Sequence, residues 1–377
     1  MSPAAVDIAK ALPIIPKEQT EDAPPTVPDV PKPVTGHKEP LKLSGALDQF
    51  QQFDVTPVIG REFVDVDLAE WLNAPNSDEL LRDLAITISQ RGVVFFRKQD
   101  NLTDEIQKRI TQRLGELTGK PATSTLHIHP LANFVNPEDQ LMATVSSRQM
   151  EKMFNKYMDL AQTQTHQWHS DIAWEAHPAE YSFLRMKELP VTGGDTLWAS
   201  GYEVYDRVSP PLRAFFDTLT VRISQPQFKE TAERLGFDLV NSPRGAPENI
   251  GDEHSSIHPF VRTNPVTGWR SIFPLSSLNK EIQGLCAAES QRFLDWMVQL
   301  VVENHDLQVR LRWQNANDCA IWDNRSAYHA ATPDYIGLGL GARLGSRTTG
   351  VAERPYFDPQ STSRREALGV DDVQRAA

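Results

Sequence analysis

Trp168-His169-Ser170-Asp171 sets an imidazole and a carboxylate two positions apart in a tract that reads as a strand. Side chains at i and i+2 of a strand leave the same face, so His169 and Asp171 can reach one metal ion together. A bare His-x-Asp arises often by chance and carries little weight alone. Its partner comes late in the chain, in Trp322-Asp323-Asn324-Arg325-Ser326-Ala327-Tyr328-His329, where a histidine follows a turn-like Asp-Asn pair. The long separation lets one ligand arm come from an early strand of a barrel and the other from a late one. Two imidazoles and a carboxylate form the facial set of non-haem Fe(II) sites, which leaves three positions open for a chelating cosubstrate and O2. On these residues alone, a structural histidine at position 329 remains the plainer alternative.

A carboxylate cosubstrate would need a permanent cation and a hydroxyl donor, because a buried anion must be paired and hydrogen-bonded. Arg343 and Arg347 are spaced by four and share a face if they lie on a strand. Two guanidiniums side by side repel unless each holds its own anion, which favours two anionic ligands; two solvent-facing arginines on an edge strand are the alternative. Gly193-Gly194-Asp195-Thr196 supplies a tight turn leading into a strand whose hydroxyl could join the cosubstrate site.

Around these motifs the chain has an ordinary water-compatible composition, with 40% hydrophobic and 23% charged residues in 377. Net charge is −12, from 38 basic and 50 acidic side chains. That balance disfavours a polyanion, so no nucleic-acid partner is expected, whereas a locally positive pocket can still take a small anionic organic substrate. No apolar run is long enough to span a membrane. The N-terminus lacks a basic stretch followed by an apolar one, and the chain ends Arg-Ala-Ala, so a cytoplasmic location is expected. Cys286 and Cys319 sit in no paired pattern and read as reduced core thiols. Assembly into a homo-oligomer is left open.

Residues 1–52 are rich in Pro, Lys, Glu and Thr without periodicity and read as an extended arm. A single catalytic domain is expected over 53–352, followed by a partly disordered extension over 353–377 that frays from about Arg364. Within the domain, Ser77-Asp78-Glu79 starts a helix carrying Leu80, Leu84 and Ile88 to a stop at Gly92. Val93 to Arg97 reads as a buried strand, Thr103 as the cap of a second helix, and Phe293, Met297, Leu300 and Val301 as the stripe of a third. Short strand-like runs punctuated by turns fill the second half. The fold expected is mostly β with flanking helices, built on a jelly-roll double sheet. Trp174, Trp198, Trp313 and Trp322 are expected in the core.

As a set, His169-Ser170-Asp171, GGDTLWAS (193–200), WDNR (322–325) with His329, and the two late arginines resemble the TauD/TfdA (taurine dioxygenase) family. The likeness runs over roughly residues 53–350 and takes in LHIHP (126–130) and HPFVRTNPVTGW (258–269). The long arm, RGVVFFR, SPRGAPEN and RPYFDP make it most similar to fungal 2-oxoglutarate-dependent sulfonate dioxygenases. The resemblance implies a cupin-like double-stranded β-helix in which His169, Asp171 and His329 bind Fe(II). It further implies that Thr196 and Arg343 grip 2-oxoglutarate and that His129 and Arg347 meet the substrate anion, with His127 a core histidine. The implied reaction consumes O2 and hydroxylates an alkylsulfonate or sulfate ester, releasing aldehyde, sulfite, succinate and CO2; tailoring of an amino acid or fungal secondary metabolite is the alternative. A non-catalytic barrel is disfavoured because all five iron and 2-oxoglutarate residues are present. Two departures point away from taurine itself. Ala132 stands where the family's taurine enzymes carry a tyrosine, and Gln164-Thr165 where they carry the Asp-Asn pair that holds the amine.

Overall fold

The computed structural model describes residues 38–148 and 165–370, all within the unit Pro31–Ala377. Residues 1–37 of the expected arm, Gln164, and the tail from 371 lie outside the described residues.

The continuous apolar runs became interior strands, as burial on both faces requires. Val93–Phe96 and Cys319–Asp323 are buried at every position. They lie side by side in a mixed seven-stranded sheet ordered Gln52–Asp54, Arg61–Phe63, Val93–Phe96, Cys319–Asp323, Ala179–Glu188, Leu344–Val351, Ala143–Ser146. A second sheet sets Thr196–Ser200 between Gln308–Leu311 and Ala327–Ala331. Two further sheets, of three and two strands, lie between residues 220 and 282. The expected β-rich core with flanking helices is therefore observed as mixed sheets with several helices.

Helix Ser77–Arg91 buries Leu80, Leu84 and Ile88 against Val94, Phe96, Phe183 and Ile321 of the large sheet. Each such side chain removed from water contributes about 1.5–3 kcal/mol. The helix stops at Gly92, where φ is 74° and an added Cβ would meet Ile59 at 3.1 Å. Helix Asp104–Leu117 is capped by Thr103, whose hydroxyl accepts the Ile106 N–H at 3.2 Å. Helix Ala287–Glu303 buries Leu294, Met297 and Val301.

Three expectations need correction. The folded body begins before residue 52: the buried Asp83 carboxylate accepts the N–H groups of Ser44, Gly45 and Ala46, and Leu47 enters the core. The tail does not fray at Arg364, because Arg364 and Arg365 pair with the fully buried Glu203 at 2.9 and 2.7 Å. Both cysteines are free, but only Cys319 is in the core; Cys286 is exposed at the start of the 287–303 helix. The four tryptophans are buried. Among the described residues no helix is long and apolar enough to cross a membrane.

Candidate metal centre

His169 and His329 face one another across an isolated antiparallel bridge, exchanging N–H···O bonds of 3.1 and 2.9 Å. Directly paired residues put their side chains on one face, and the two rings lie 4.2 Å apart. The tract expected as a strand is shorter than its pattern suggests. After His169 it turns, with Ile172 at a φ of 45°, and the Asp171 N–H goes to Asn324 Oδ1 at 3.0 Å rather than to a ladder. Asp171 nonetheless points at both rings. Its Oδ1 is 3.8 Å from each histidine Nε2, and the donor atoms of all three lie within 4.8 Å of one another. A single ion with bonds of about 2 Å fits among donors so spaced.

Protonation suits ligation. His169 Nδ1 lies 2.6 Å from the Gln167 carbonyl, which can only accept, so the hydrogen sits on Nδ1 and the Nε2 lone pair faces the centre. Burial drives the His329 pKa well below its usual value and leaves the imidazole neutral. Burial would raise Asp171, but the Arg347 guanidinium, with the Ser182 hydroxyl, outweighs it and holds the carboxyl well below its normal range.

Arg343 lies beside this cluster. Its Nε donates to the Gly194 carbonyl at 2.9 Å and its Nη2 to Thr196 Oγ1 at 3.1 Å. Thr196 Oγ1 also receives the Trp313 indole N–H at 3.1 Å, so both its acceptor sites are filled and its own hydrogen is left to donate. The Gly193-Gly194 turn is held by Asp334, which accepts the Gly194 N–H at 2.9 Å, and Gly194 has a φ of 69° that frees it to approach Arg343. The other buried arginines have carboxylates: Arg91 with Asp54, Arg185 with Asp104, Arg244 with Glu175, Arg262 with Glu353, Arg325 with Asp323. Arg343 is only 5% exposed and has no carboxylate within 4.0 Å among the described residues. Burial lowers its pKa, against the pull of Tyr335 and Asp195. A guanidinium in this state is costly until something anionic reaches it.

Arg347, expected to meet substrate, donates through Nη1 to Asp171 Oδ1 at 2.6 Å. Arg343 precedes the strand Leu344–Val351, whose pairing shifts register at Leu344/Gly345, so simple alternation does not relate the two arginines. Both still act on one centre, since each lowers the His329 pKa. His129 accepts the Leu131 N–H on Nδ1 at 3.1 Å, so its hydrogen is on Nε2. Burial, with His127, Arg347 and His254 nearby, pushes its pKa down to about 3, making it a neutral single donor. His129 and Arg347 border a cavity of about 330 Å³.

Several supporting residues were not singled out by pattern. Ser182 donates to Asp171 Oδ2 at 2.7 Å but sits inside the apolar run of Ala179–Glu188, with no local signal. Asn324, visible in WDNR, accepts from Asp171 N and Trp322 Nε1 and donates to Glu180 O and Ser182 Oγ. Its amide thereby ties the Asp171 turn to the central strands. His127 is a core histidine, 3.2 Å from Glu175, which Arg244 clasps at 2.6 and 2.9 Å.

The family model described as "Taurine catabolism dioxygenase TauD, TfdA family" matches residues 51–349. The chain is 49% identical to the alpha-ketoglutarate-dependent dioxygenase btcD of Neocamarosporium betae, over 88% of this chain and 98% of that protein. It is 33% identical to the alpha-ketoglutarate-dependent sulfonate dioxygenase of Saccharomyces cerevisiae, over 81% and 67%. A taurine dioxygenase crystal structure from Burkholderia xenovorans superposes with a TM-score of 0.60 at 25% identity, covering 83% of this chain and 92% of that one.

Proposed function

This chain belongs to the TauD, TfdA family, and we propose that it oxidises a small organic anion, with an alkylsulfonate or sulfate ester as the leading substrate class. It is a 2-oxoglutarate-dependent dioxygenase that uses Fe(II) and O2. In our reading the sheets form a double-stranded β-helix, and His169, Asp171 and His329 hold the iron. Thr196 and Arg343 take the far carboxylate of 2-oxoglutarate, the alternative name of which is α-ketoglutarate. When bound, Fe(II) with this cosubstrate supplies the oxidising power that breaks a C–H bond, the cosubstrate leaving as succinate and CO2. The protein's own part is to orient, match charge and exclude water. The Gln167 carbonyl fixes the His169 tautomer, Asn324 holds the Asp171 backbone and the Ser182 hydroxyl, and Ser182 in turn donates to the Asp171 carboxylate. Arg347 and the His129 N–H offer one charge and one neutral donor to the substrate head.

The observation that carries the reading is Arg343: a buried guanidinium beside a His/Asp/His cluster that, among the described residues, meets two neutral acceptors and no carboxylate. Hydroxylation of an alkylsulfonate at the carbon bearing sulfur yields an unstable product that falls apart to aldehyde and sulfite. The test is to incubate anaerobically purified protein with Fe(II), 2-oxoglutarate and a panel of sulfonates, sulfate esters and amino acids, admit O2, and measure succinate and sulfite. Matched succinate and sulfite from a sulfonate is the expected result; no succinate above a metal-free control with any compound would overturn the reading. A second reading, the same chemistry on an amino acid or secondary metabolite, is favoured by Ala132, which stands where the family's taurine enzymes carry a tyrosine. Succinate coupled to substrate oxidation without sulfite would select it.

A further inference from the structure

The cavity beside Arg347 has a wall made largely of hydrocarbon. Ala132 and Val135 supply one side from the short helix Ala132–Val135 and Ala143 and Val145 another from strand Ala143–Ser146; Leu131, Met142 and Phe228 add further apolar surface, and Asn136, Gln140, Thr144 and Ser146 a smaller polar share. The register pairs Ala143 with Arg347 and Val145 with Gly345. Opposed residues of an antiparallel pair point to the same face, so this apolar wall is continuous with the guanidinium. Among the described residues lining the cavity, Arg347 is the one that carries a full charge, His129 being neutral. Among the described residues no carboxylate lines it, so an ammonium group on the substrate would meet no counterion from them. The volume, about 330 Å³, sits at the small end of the ~300–1,000 Å³ typical of small-molecule sites. A two-carbon sulfonate would leave most of that wall untouched.

We infer that this slot takes the hydrocarbon body of the substrate. The preferred substrate is then an amphiphile without an amine: a monoanionic head on Arg347 and His129, and an apolar chain of several carbons lying between Ala132 and Val135 on one side and Ala143 and Val145 on the other. This rests on the proposed roles of Arg347 and His129, and makes Ala143 and Val145 determinants of chain length.

Burial of a methylene strengthens binding about fourfold, so affinity should climb in regular steps along a homologous series until the slot is full. The full chain, loaded anaerobically with Fe(II) and 2-oxoglutarate, is titrated calorimetrically with n-alkanesulfonates from ethane- to decanesulfonate, and with the matching n-alkanoates. We expect Kd to fall about fourfold per methylene over the first several members of at least one series, then level off. Ala143→Leu adds three carbon atoms to the wall opposite Arg347 and should move the levelling point to a shorter chain, as should Val145→Phe. Flat affinity in both series, no binding at any length, or a levelling point unmoved in both folded variants would overturn the inference. Admitting O2 afterwards separates the two claims. A binding ladder without succinate leaves the slot standing and removes the catalytic reading, whereas succinate from a flat series does the reverse.

Discussion

Replacing Arg343 by glutamine should weaken 2-oxoglutarate binding severely while leaving the free protein at least as stable. The guanidinium is 5% exposed, donates only to the Gly194 carbonyl and the Thr196 hydroxyl, and has no carboxylate within reach among the described residues. Burial depresses its pKa, which means the folded state disfavours the charged form. A cation in that position destabilises the free fold at every pH below its folded pKa, so a neutral amide of similar length removes a cost. With the cosubstrate bound the balance reverses. Losing one partner of a buried, hydrogen-bonded charge pair costs about 2–5 kcal/mol, or roughly 30-fold to a few thousand-fold in Kd. Because Thr196 still has its hydrogen to donate, the lower part of that range, about 30- to 300-fold, is expected. The assay is a pair of measurements on wild type and Arg343→Gln under anaerobic Fe(II): Kd for 2-oxoglutarate by calorimetry, and Tm without cosubstrate. A variant that binds 2-oxoglutarate within about threefold of wild type would refute the anchoring role. A fall in cosubstrate-free Tm of more than about 5 °C, a loss on the order of 4 kcal/mol in a chain of this size, would instead make Arg343 a structural residue.

Asn324→Ala should weaken Fe(II) binding about 10- to 100-fold without unfolding the protein, since the amide holds both the Asp171 backbone and the Ser182 hydroxyl; a metal titration with wild-type affinity would count against it. Glu180 is fully buried, 3.2 Å from Lys120, and burial, only partly opposed by Lys120 and Arg325, raises its pKa to about 7. The folded state therefore holds this proton more tightly than the unfolded chain. Its contribution is full below the unfolded value near 4.5 and declines as pH rises toward 7, at about 1.4 kcal/mol per pH unit. Glu180→Gln should flatten the fall in Tm across that window, and an unchanged slope would dismiss the assignment. Gly115→Ala would place a methyl group 1.9 Å from Glu180 Oε1, so the helix Asp104–Leu117 or the buried Glu180 carboxyl must shift, at a cost of about 1–3 kcal/mol; a denaturant midpoint equal to wild type would contradict the packing.

What could be read from the chain divides along physical lines. Helix Ser77–Arg91 and strand Val93–Phe96 were legible because their apolar periodicity is a local property that tertiary packing merely exploits. The candidate iron ligands were legible only as part of a set, because His169, Asp171 and His329 occur together with GGDTLWAS, WDNR and the two late arginines in the order the family resemblance requires. Buried charge was not. Asp83, Glu203 and Arg365 look like surface residues in sequence, yet Asp83 gathers the N–H groups that fasten Ser44 to Ala46, and Glu203 holds the tail. Composition marked both ends of the chain as polar and aperiodic, and it cannot distinguish an acid in water from an acid that satisfies three backbone donors.

The two late arginines show the same limit at the heart of the site. Their spacing suggested two like roles on one strand face, but the irregular pairing at Leu344/Gly345 gives them unlike surroundings. Arg347 spends its charge on Asp171 Oδ1 at 2.6 Å, whereas Arg343, among the described residues, meets a carbonyl and a hydroxyl and no carboxylate. The difference matters because a guanidinium already facing a carboxylate must share that partner with any incoming anion, while one facing neutral oxygens gains its first counterion. Charge matching alone therefore favours a tightly held anion at Arg343 and a more weakly held, exchangeable one at Arg347. For the head group at Arg347, additional affinity has to come from elsewhere on the molecule, and the apolar wall running from Ala143 to Val135 is where the structure offers it.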